Sequence, residues 1–296
     1  DDPPAQVAAP PKPHQAGVIE NETARGVVVD ETGKPIAGAE VRLNPYTPRE
    51  SRVVTAADGS FAVRSVEPRI DGRWLLAISD DHVGGHKYAG SSTRAKTAEP
   101  VRIVARPGRE VVARVNDAQG EAVAGAVVEV VGDRNVIAHA ETDAGGLARL
   151  LIPTDDNVKW LVAQKPAVGF DYVEFGDRFL GNRPVGVPPS ELPEVVALSL
   201  GEPRTVRIKA LDESGTPAVG VPLYVWLLRK DGRRSSLNYW SRIHFAITGA
   251  DGVAVFDWLP RTPDTLTFFP SSPSLSHHRI DVPPDQVEPV VVRVTK

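Results

Sequence analysis

One phrase recurs three times along this 296-residue chain and constrains its fold more than any other feature. An Asp, two residues, a Gly, then a second Gly five further on reads Asp30–Gly33–Gly38, Asp117–Gly120–Gly125 and Asp212–Gly215–Gly220. Each copy leads to a threonine-headed turn: Thr55-Ala-Ala-Asp58-Gly59, Thr142-Asp-Ala-Gly145-Gly146 and Thr248-Gly-Ala-Asp251-Gly252. The Asp-to-Thr distance is 25 residues in the first two copies and 36 in the third. From Gly33 to Gly120 is 87 residues, and from Gly120 to Gly215 is 95. Self-similarity at a near-constant period implies one small unit repeated, not one large core.

The segments between these turns read as strands. Val27 and Val29 alternate with neighbours at period 2, then Ala39–Leu43 follows the first turn. The Asp58-Gly59 pair between apolar runs predicts a hairpin. Copy two repeats the plan with Val111–Val115, Ala126–Val131, Val136–Thr142, Leu147–Ile152, Trp160–Ala163 and Val195–Leu200. Trp160 falls 86 residues after Trp74, so an aromatic anchor keeps register too. Copy three offers Thr205–Leu211, Pro222–Leu228, His244–Thr248, Val253–Phe256, Thr265–Phe269 and Val290–Val294. No segment carries a 3.6-residue period. Short strands with frequent Gly and Pro turns predict an all-β sandwich.

Two stretches break the repeat. Residues 166–190 hold Phe170, Tyr172, Phe175 and Phe179 among Gly, Asp and Pro. Residues 230–242 hold Arg233, Arg234, Tyr239, Trp240 and Arg242 and absorb the extra length of copy three.

The phrase Gly26-Val-Val-Val-Asp30-Glu-Thr-Gly33-Lys-Pro35-Ile-Ala-Gly38-Ala-Glu-Val41, with Thr55 to Phe61, resembles the carboxypeptidase regulatory-like family. That resemblance implies a transthyretin-like (prealbumin-like, Ig-like) seven-stranded Greek-key sandwich. Copy two departs from it at Ala122 and Ala148, and copy three at Ala254 and Pro222. The expected organisation is a Pro/Ala-rich linker over 1–22, a first sandwich over 23–106, a second over 107–201 with its aromatic insertion at 166–190, and a third over 202–296 with its insertion at 230–242. Such modules are appendages to many kinds of protein, so the resemblance specifies fold and not function.

Composition narrows the function classes. A net charge of −4 gives no electrostatic footprint for nucleic acid. No run of 18 apolar residues exists, so no membrane insertion is expected. With no cysteine there are no disulfides, thiolate metal sites or cysteine nucleophiles. With no methionine, residue 1 reads as the start of a processed product or a fragment. The opening Pro/Ala tract and the fold together point to an extracytoplasmic setting: periplasmic, secreted or cell-surface.

Chemistry-bearing clusters are thin. His82-Val-Gly-Gly-His86 has zinc-like spacing, but its two glycines follow a predicted strand and no catalytic Glu is present, so it reads as a strand-end loop. His277 and His278 are adjacent, so in a strand they face opposite ways. Asp58, Asp143 and Asp251 read as turn residues rather than calcium ligands. No catalytic residue, metal or cofactor is assigned. The aromatics of 166–190 have two open fates, an interdomain plug or a ligand surface, and Tyr239 and Trp240 likewise either cover their own core as a long hairpin end or face a ligand. For the second fate the ligand-binding residues are Phe170, Tyr172, Phe175, Arg233, Arg234, Tyr239, Trp240 and Arg242, since aromatics and arginines are enriched in binding hot spots. The expected function is a non-catalytic binding or spacer module for a protein or carbohydrate partner at the cell surface. The alternatives are the ectodomain of a membrane-linked sensor or peptidase, and a metal-dependent enzyme using His82, His86, His277 or His278.

Overall fold

The computed structural model describes residues 23–66, 73–88, 100–133, 135–176, 179–180, 183–230, 232–239, 241–270, 279–283 and 288–294. Trp240, His277 and His278 lie outside the described residues.

Three two-sheet sandwiches follow one another. The first contains β1 (Thr23–Val29), β2 (Glu40–Leu43), β3 (Ser51–Val54), β4 (Ser60–Arg64), β5 (Arg73–Ile78), β6 (His82–Tyr88) and β7 (Val101–Val104), then a short β8 (Arg106–Pro107). The second contains β9 (Arg109–Asn116), β10 (Val127–Val131), β11 (Val136–Glu141), β12 (Leu147–Ile152), β13 (Trp160–Lys165), β14 (Gly169–Glu174), a small hairpin β15 (Phe179–Leu180) and β16 (Arg183–Pro184), and β17 (Val195–Ser199). The third contains β18 (Pro203–Leu211), β19 (Pro222–Lys230), β20 (Phe245–Ile247), β21 (Val253–Pro260), β22 (Pro263–Pro270), β23 (Ile280–Asp281) and β24 (Val290–Arg293).

The sheet plan is the same each time. A three-stranded sheet orders its strands β4-β1-β7, β12-β9-β17 and β21-β18-β24. Its central strand runs parallel to the closing strand and antiparallel to the other neighbour. The facing sheet orders β3-β2-β5-β6, β11-β10-β13-β14 and β20-β19-β22-β23, with β8 added beyond β6. Seven strands in two sheets, closed by a crossover to a parallel strand, make the sandwich that the family resemblance implies; the strand beyond β5, β13 or β22 (β6, β14 or β23) is the one that the sequence reading leaves out.

The recurring phrase builds the turns that hold this plan. The Oδ1 atoms of Asp30, Asp117 and Asp212 each accept two backbone N–H groups, from the residues two and four further on, at 2.8–2.9 Å. This is the local side-chain mimicry that makes Asp a turn residue. The threonines tie the turn to the next strand. Thr142 Oγ1 accepts from Ala126 N at 2.8 Å and donates to Val123 O at 2.6 Å. Thr55 and Thr248 make the same pair of bonds. The glycine ending each threonine turn has φ near 73° and sits so close to the opening strand that a Cβ would meet a carbonyl oxygen at 2.5, 2.6 or 2.7 Å (Gly59, Gly146, Gly252). Both facts require glycine. Pro222 is tolerated because it opens its strand.

Two expectations need correction. His82 and His86 do not lie in a loop: they belong to β6, which pairs with β5 along its length. Residues 166–190 are not all insertion either. Gly169–Glu174 is β14, the second sandwich's equivalent of β6 and β23, and pairs residue for residue with β13. Only the β15–β16 hairpin and its return are extra, the return pairing Val187 with Val158.

Candidate functional site

The second sandwich buries both faces of its four-stranded sheet. β10 and β13 read Val-Val-Glu-Val-Val and Trp-Leu-Val-Ala-Gln-Lys, and nearly every residue is buried. Alternate residues go to different cores. Val128, Val130, Leu161 and Ala163 fill the sandwich interior. Val131, Trp160, Val162 and Tyr172 face outward into another cluster, which runs on to Val206, Phe256 and Trp258 of the third sandwich and Tyr46 and Leu76 of the first. A sheet covered on both sides reads as continuous apolar runs. The cover is the segment that departs from the repeat after β19.

At the centre of this outer face lies Glu129, completely buried. It shares a rung with His139 on β11 and Val162 on β13. Tyr239 Oη donates to its Oε2 at 3.0 Å and Ser241 Oγ to its Oε1 at 2.6 Å. His139 Nδ1 stands 3.5 Å from Oε1. The His139 ring stacks on Tyr46 of the first sandwich, centroids 4.9 Å apart and planes 13° apart. Arg242 N donates to Tyr46 O at 2.8 Å. All three sandwiches therefore meet at one carboxylate. A charge removed from water is tolerated only with partners of this kind.

Further along, the covering segment is held by hydrogen bonds on both of its edges. Trp160 Nε1 donates to Ser235 Oγ at 2.9 Å, and Tyr172 Oη donates to Ser235 O at 2.7 Å. Glu174 accepts Ser235 N at 2.9 Å, Ser235 Oγ at 2.6 Å and Arg234 N at 3.1 Å. Burial alone would raise Glu174, but these hydrogen bonds outweigh it and hold its carboxyl below the usual value. Asp171 accepts Lys230 Nζ at 2.8 Å, Arg233 at 3.1 Å and Ser199 N at 2.9 Å. The Arg233 guanidinium lies 5.4 Å from the Tyr172 ring centre.

His244 closes the junction. It is buried between Trp258, stacked at 5.8 Å, and Tyr239, edge-on at 4.6 Å. Burial pushes its pKa down to about 4, although Glu129 and the Tyr239 backbone favour the charged form. Neither ring nitrogen makes a hydrogen bond of ordinary geometry. Burial raises the Tyr239 phenol well above its usual value, and the nearby Glu129 adds to this. The arrangement suits adhesion between parts of one chain: a neutral imidazole, a protonated phenol and a satisfied carboxylate.

The candidate ligand residues are divided by this geometry. Phe170 and Tyr172 are fully buried on the outer face of β14, and Phe170 packs on Trp258 at 5.3 Å. Tyr239 is buried on Glu129. Phe170 and Tyr172 form an interdomain plug, and Tyr239 covers the second sandwich rather than its own core. Phe175 and Arg233 are half-buried, while Arg234 and Arg242 are exposed. Arg242 reaches His139 Nε2 at 3.3 Å. Glu129, His139, Asp171, Glu174, Ser235 and His244 escaped sequence reasoning. The one available signal was the lone Glu in the otherwise apolar strand Val127–Val131.

The histidines of β6 cannot share an ion, because residues four apart in a strand lie about 13 Å apart. His82 Nδ1 instead meets Asp81 at 2.6 Å. Among the described residues no group of three or more His, Cys, Asp or Glu could hold a metal. Two open clefts flank the Asp171–Lys230 pair. One, of about 500 Å³, is lined by Asp117, Gln119, Asp171 and Ser199; the other, of about 370 Å³, by Phe170, Glu202, Lys230 and Arg261. Among the described residues no helix is long and apolar enough to cross a membrane.

Residues 23–106 match the family model of the carboxypeptidase regulatory-like domain. That match covers the first sandwich and ends within β8. No curated protein sequence matches the chain. Solved structures similar to it include the Bacillus anthracis TIE protein, with 10% identity, covering 94% of this chain and 50% of that one, at a TM-score of 0.22. BcpA, the major pilin subunit of Bacillus cereus, has 11% identity over 94% of this chain and 99% of its own, at a TM-score of 0.23. The shaft pilin SpaA from Lactobacillus rhamnosus GG has 10% identity over 64% of this chain and 97% of its own, at 0.26. The chain spans half the length of the TIE protein. Likeness this distant says nothing about function.

Proposed function

We propose that the protein is a non-catalytic, extracytoplasmic scaffold. Its three sandwiches, 23–106, 107–201 and 202–296, are locked into one body that presents its remaining surface to a protein or carbohydrate partner. The observation that carries this reading is the use made of residues 230–242. Among the described residues, the long departure of copy three from the repeat after β19 is folded against the second sandwich, with Ser235 and Glu129 as its anchors. Flexibly tethered domains have small polar interfaces. This one has an apolar core shared by all three units. A chain of this kind sets distance and orientation, and its exposed loops and faces do the recognising.

Small-angle X-ray scattering tests the reading. The protein is expected to scatter as a single rigid body. A Ser235→Asp/Tyr239→Ala variant, with a second charge beside Glu174 and one donor to Glu129 gone, is expected to show a larger maximum dimension and the profile of jointed units. A jointed profile in the unaltered protein overturns the proposal.

A further inference from the structure

On the third sandwich, the rung equivalent to Glu129 is aromatic. Phe245, Tyr224 and Phe269 stand side by side across β20, β19 and β22. Tyr224 stacks on Phe245 at 5.3 Å and on Phe269 at 6.2 Å, with planes 25° and 28° apart. Trp226 is turned across the row, at 80° to Tyr224 and 74° to Phe269. All four rings are half-buried, and Ile247 at the rim is 65% exposed.

Polar groups stand at one end of the row. Thr267 and Phe269 are two apart in β22 and so share its outer face. Thr267 Oγ1 donates to Asp281 Oδ1 at 2.7 Å, and Arg279 Nε donates to the same oxygen at 2.7 Å. The Arg279 and Asp281 side chains are 56% and 61% exposed. Each charge neutralises the other, and both retain hydrogen-bonding capacity toward solvent.

We propose that this face binds a neutral carbohydrate chain. The proposal rests on the binding-module reading and names its ligand class. A pyranose offers an apolar C–H face beside a ring of hydroxyls. The Trp226 plane matches the first, beside a row whose rings stack on one another and present their edges, and the Arg279–Asp281 pair matches the second as paired donor and acceptor. An aromatic side chain has about 200 Å² of surface, and the larger part of each of these is covered, so on the order of 250 Å² is left across the four. That is far below the roughly 800 Å² per partner of a standard protein interface. It suits one or two sugar rings. The self-neutralised pair gives no net charge to select an anionic polymer.

Affinity electrophoresis tests this, using native gels containing hydroxyethylcellulose, laminarin, xylan or mannan, with polygalacturonate as the charged comparison. The full chain is expected to be retarded in at least one neutral gel and not in polygalacturonate. Trp226→Ala and Asp281→Ala should each weaken that retardation at least tenfold, while Trp226→Phe keeps part of it and Val255→Ala, on the opposite sheet, keeps all of it. Thermal unfolding of each variant separates lost binding from lost folding. No retardation in any neutral gel, or retardation indifferent to Trp226→Ala in a folded variant, overturns the inference. So does a dimer in sedimentation that Trp226→Ala disperses, since the face would then be an interface between copies. A failure here, with rigid scattering intact, removes the ligand class and leaves the scaffold standing.

Discussion

The second and third sandwiches carry the same sheet with opposite outer faces. Counting from the residue bonded to the repeated threonine, Arg42, Glu129 and Tyr224 occupy one equivalent position. The rung through that position reads Arg52–Arg42–Leu76, His139–Glu129–Val162 and Phe245–Tyr224–Phe269. In the second sandwich the rung is sealed under the chain's own extension, and its carboxylate takes donors from Tyr239 and Ser241. In the third, four rings remain half-buried. The turns of the two are alike and both rungs pair in register, although β19 carries a bulge at Trp226 that β10 lacks against β13. The side chains on one face decide whether a unit adheres to its neighbour or keeps a face toward solvent.

The sharpest way to break that comparison is to cut the same kind of side chain from each face. Trp160→Ala should cost about 3–5 kcal/mol, the usual loss for a buried Trp. Trp226→Ala should cost about 1 kcal/mol, as a half-exposed site does. Urea unfolding of the two variants is the measurement, and equal losses would erase the distinction.

The next effect is a pH dependence that belongs to the sealed face. His244 has a folded pKa of about 4 against an ordinary 6.5. The unfolded chain therefore binds the proton more readily. The stability is fully present above pH 6.5 and is lost as pH falls toward 4, by roughly 3 kcal/mol in all. Asp156, held up to about 6 chiefly by burial, runs the other way, because its proton favours the folded state over pH 3.8 to 6. The useful quantity is thus the difference between the protein and His244→Phe. The stability of the protein minus that of His244→Phe should fall as pH drops from 6.5 to 4, and a constant value would place the imidazole in water.

Smaller effects follow from single hydrogen bonds. Ser235→Ala removes the partner of Trp160 Nε1 and one donor to Glu174, and should cost about 1–2 kcal/mol. Thr142→Val and Thr248→Val break the same turn bonds in both sandwiches and should cost similar amounts, about 1–2 kcal/mol each. Unequal threonine losses in chemical denaturation would mean that the two scaffolds are not equivalent after all. Smallest is Arg234→Ala, whose side chain is 56% exposed in its pair with Glu174. It should change stability by no more than about 0.5 kcal/mol.

Much of the fold was legible in the residues because its determinants are local. Asp30, Asp117 and Asp212 bond their own backbone, the turn glycines answer to φ and close approach, and period-2 alternation marks half-buried strands. Those signals need only a few neighbours in sequence. The strand β14 was missed because Phe170 and Tyr172 are buried against the neighbouring units rather than in their own sandwich, so the stretch read as an insertion. The same cause hid the role of Glu129. A lone carboxylate in an apolar strand is ordinary if it meets water and exceptional if another unit covers it. Nothing within Val127–Val131 distinguishes the two.

The sequence by itself therefore determined the repeat, its turns and the sandwich class, since each depends on conformational preferences within one unit. Only the tertiary structure decided that Phe170, Tyr172 and Tyr239 turn inward while Tyr224, Trp226, Phe245 and Phe269 remain half-exposed. The physical reason is that burial of an outer sheet face is a property of the neighbour that covers it. The contacts responsible, Ser235 to Trp160 and Tyr239 to Glu129, join residues 75 and 110 positions apart.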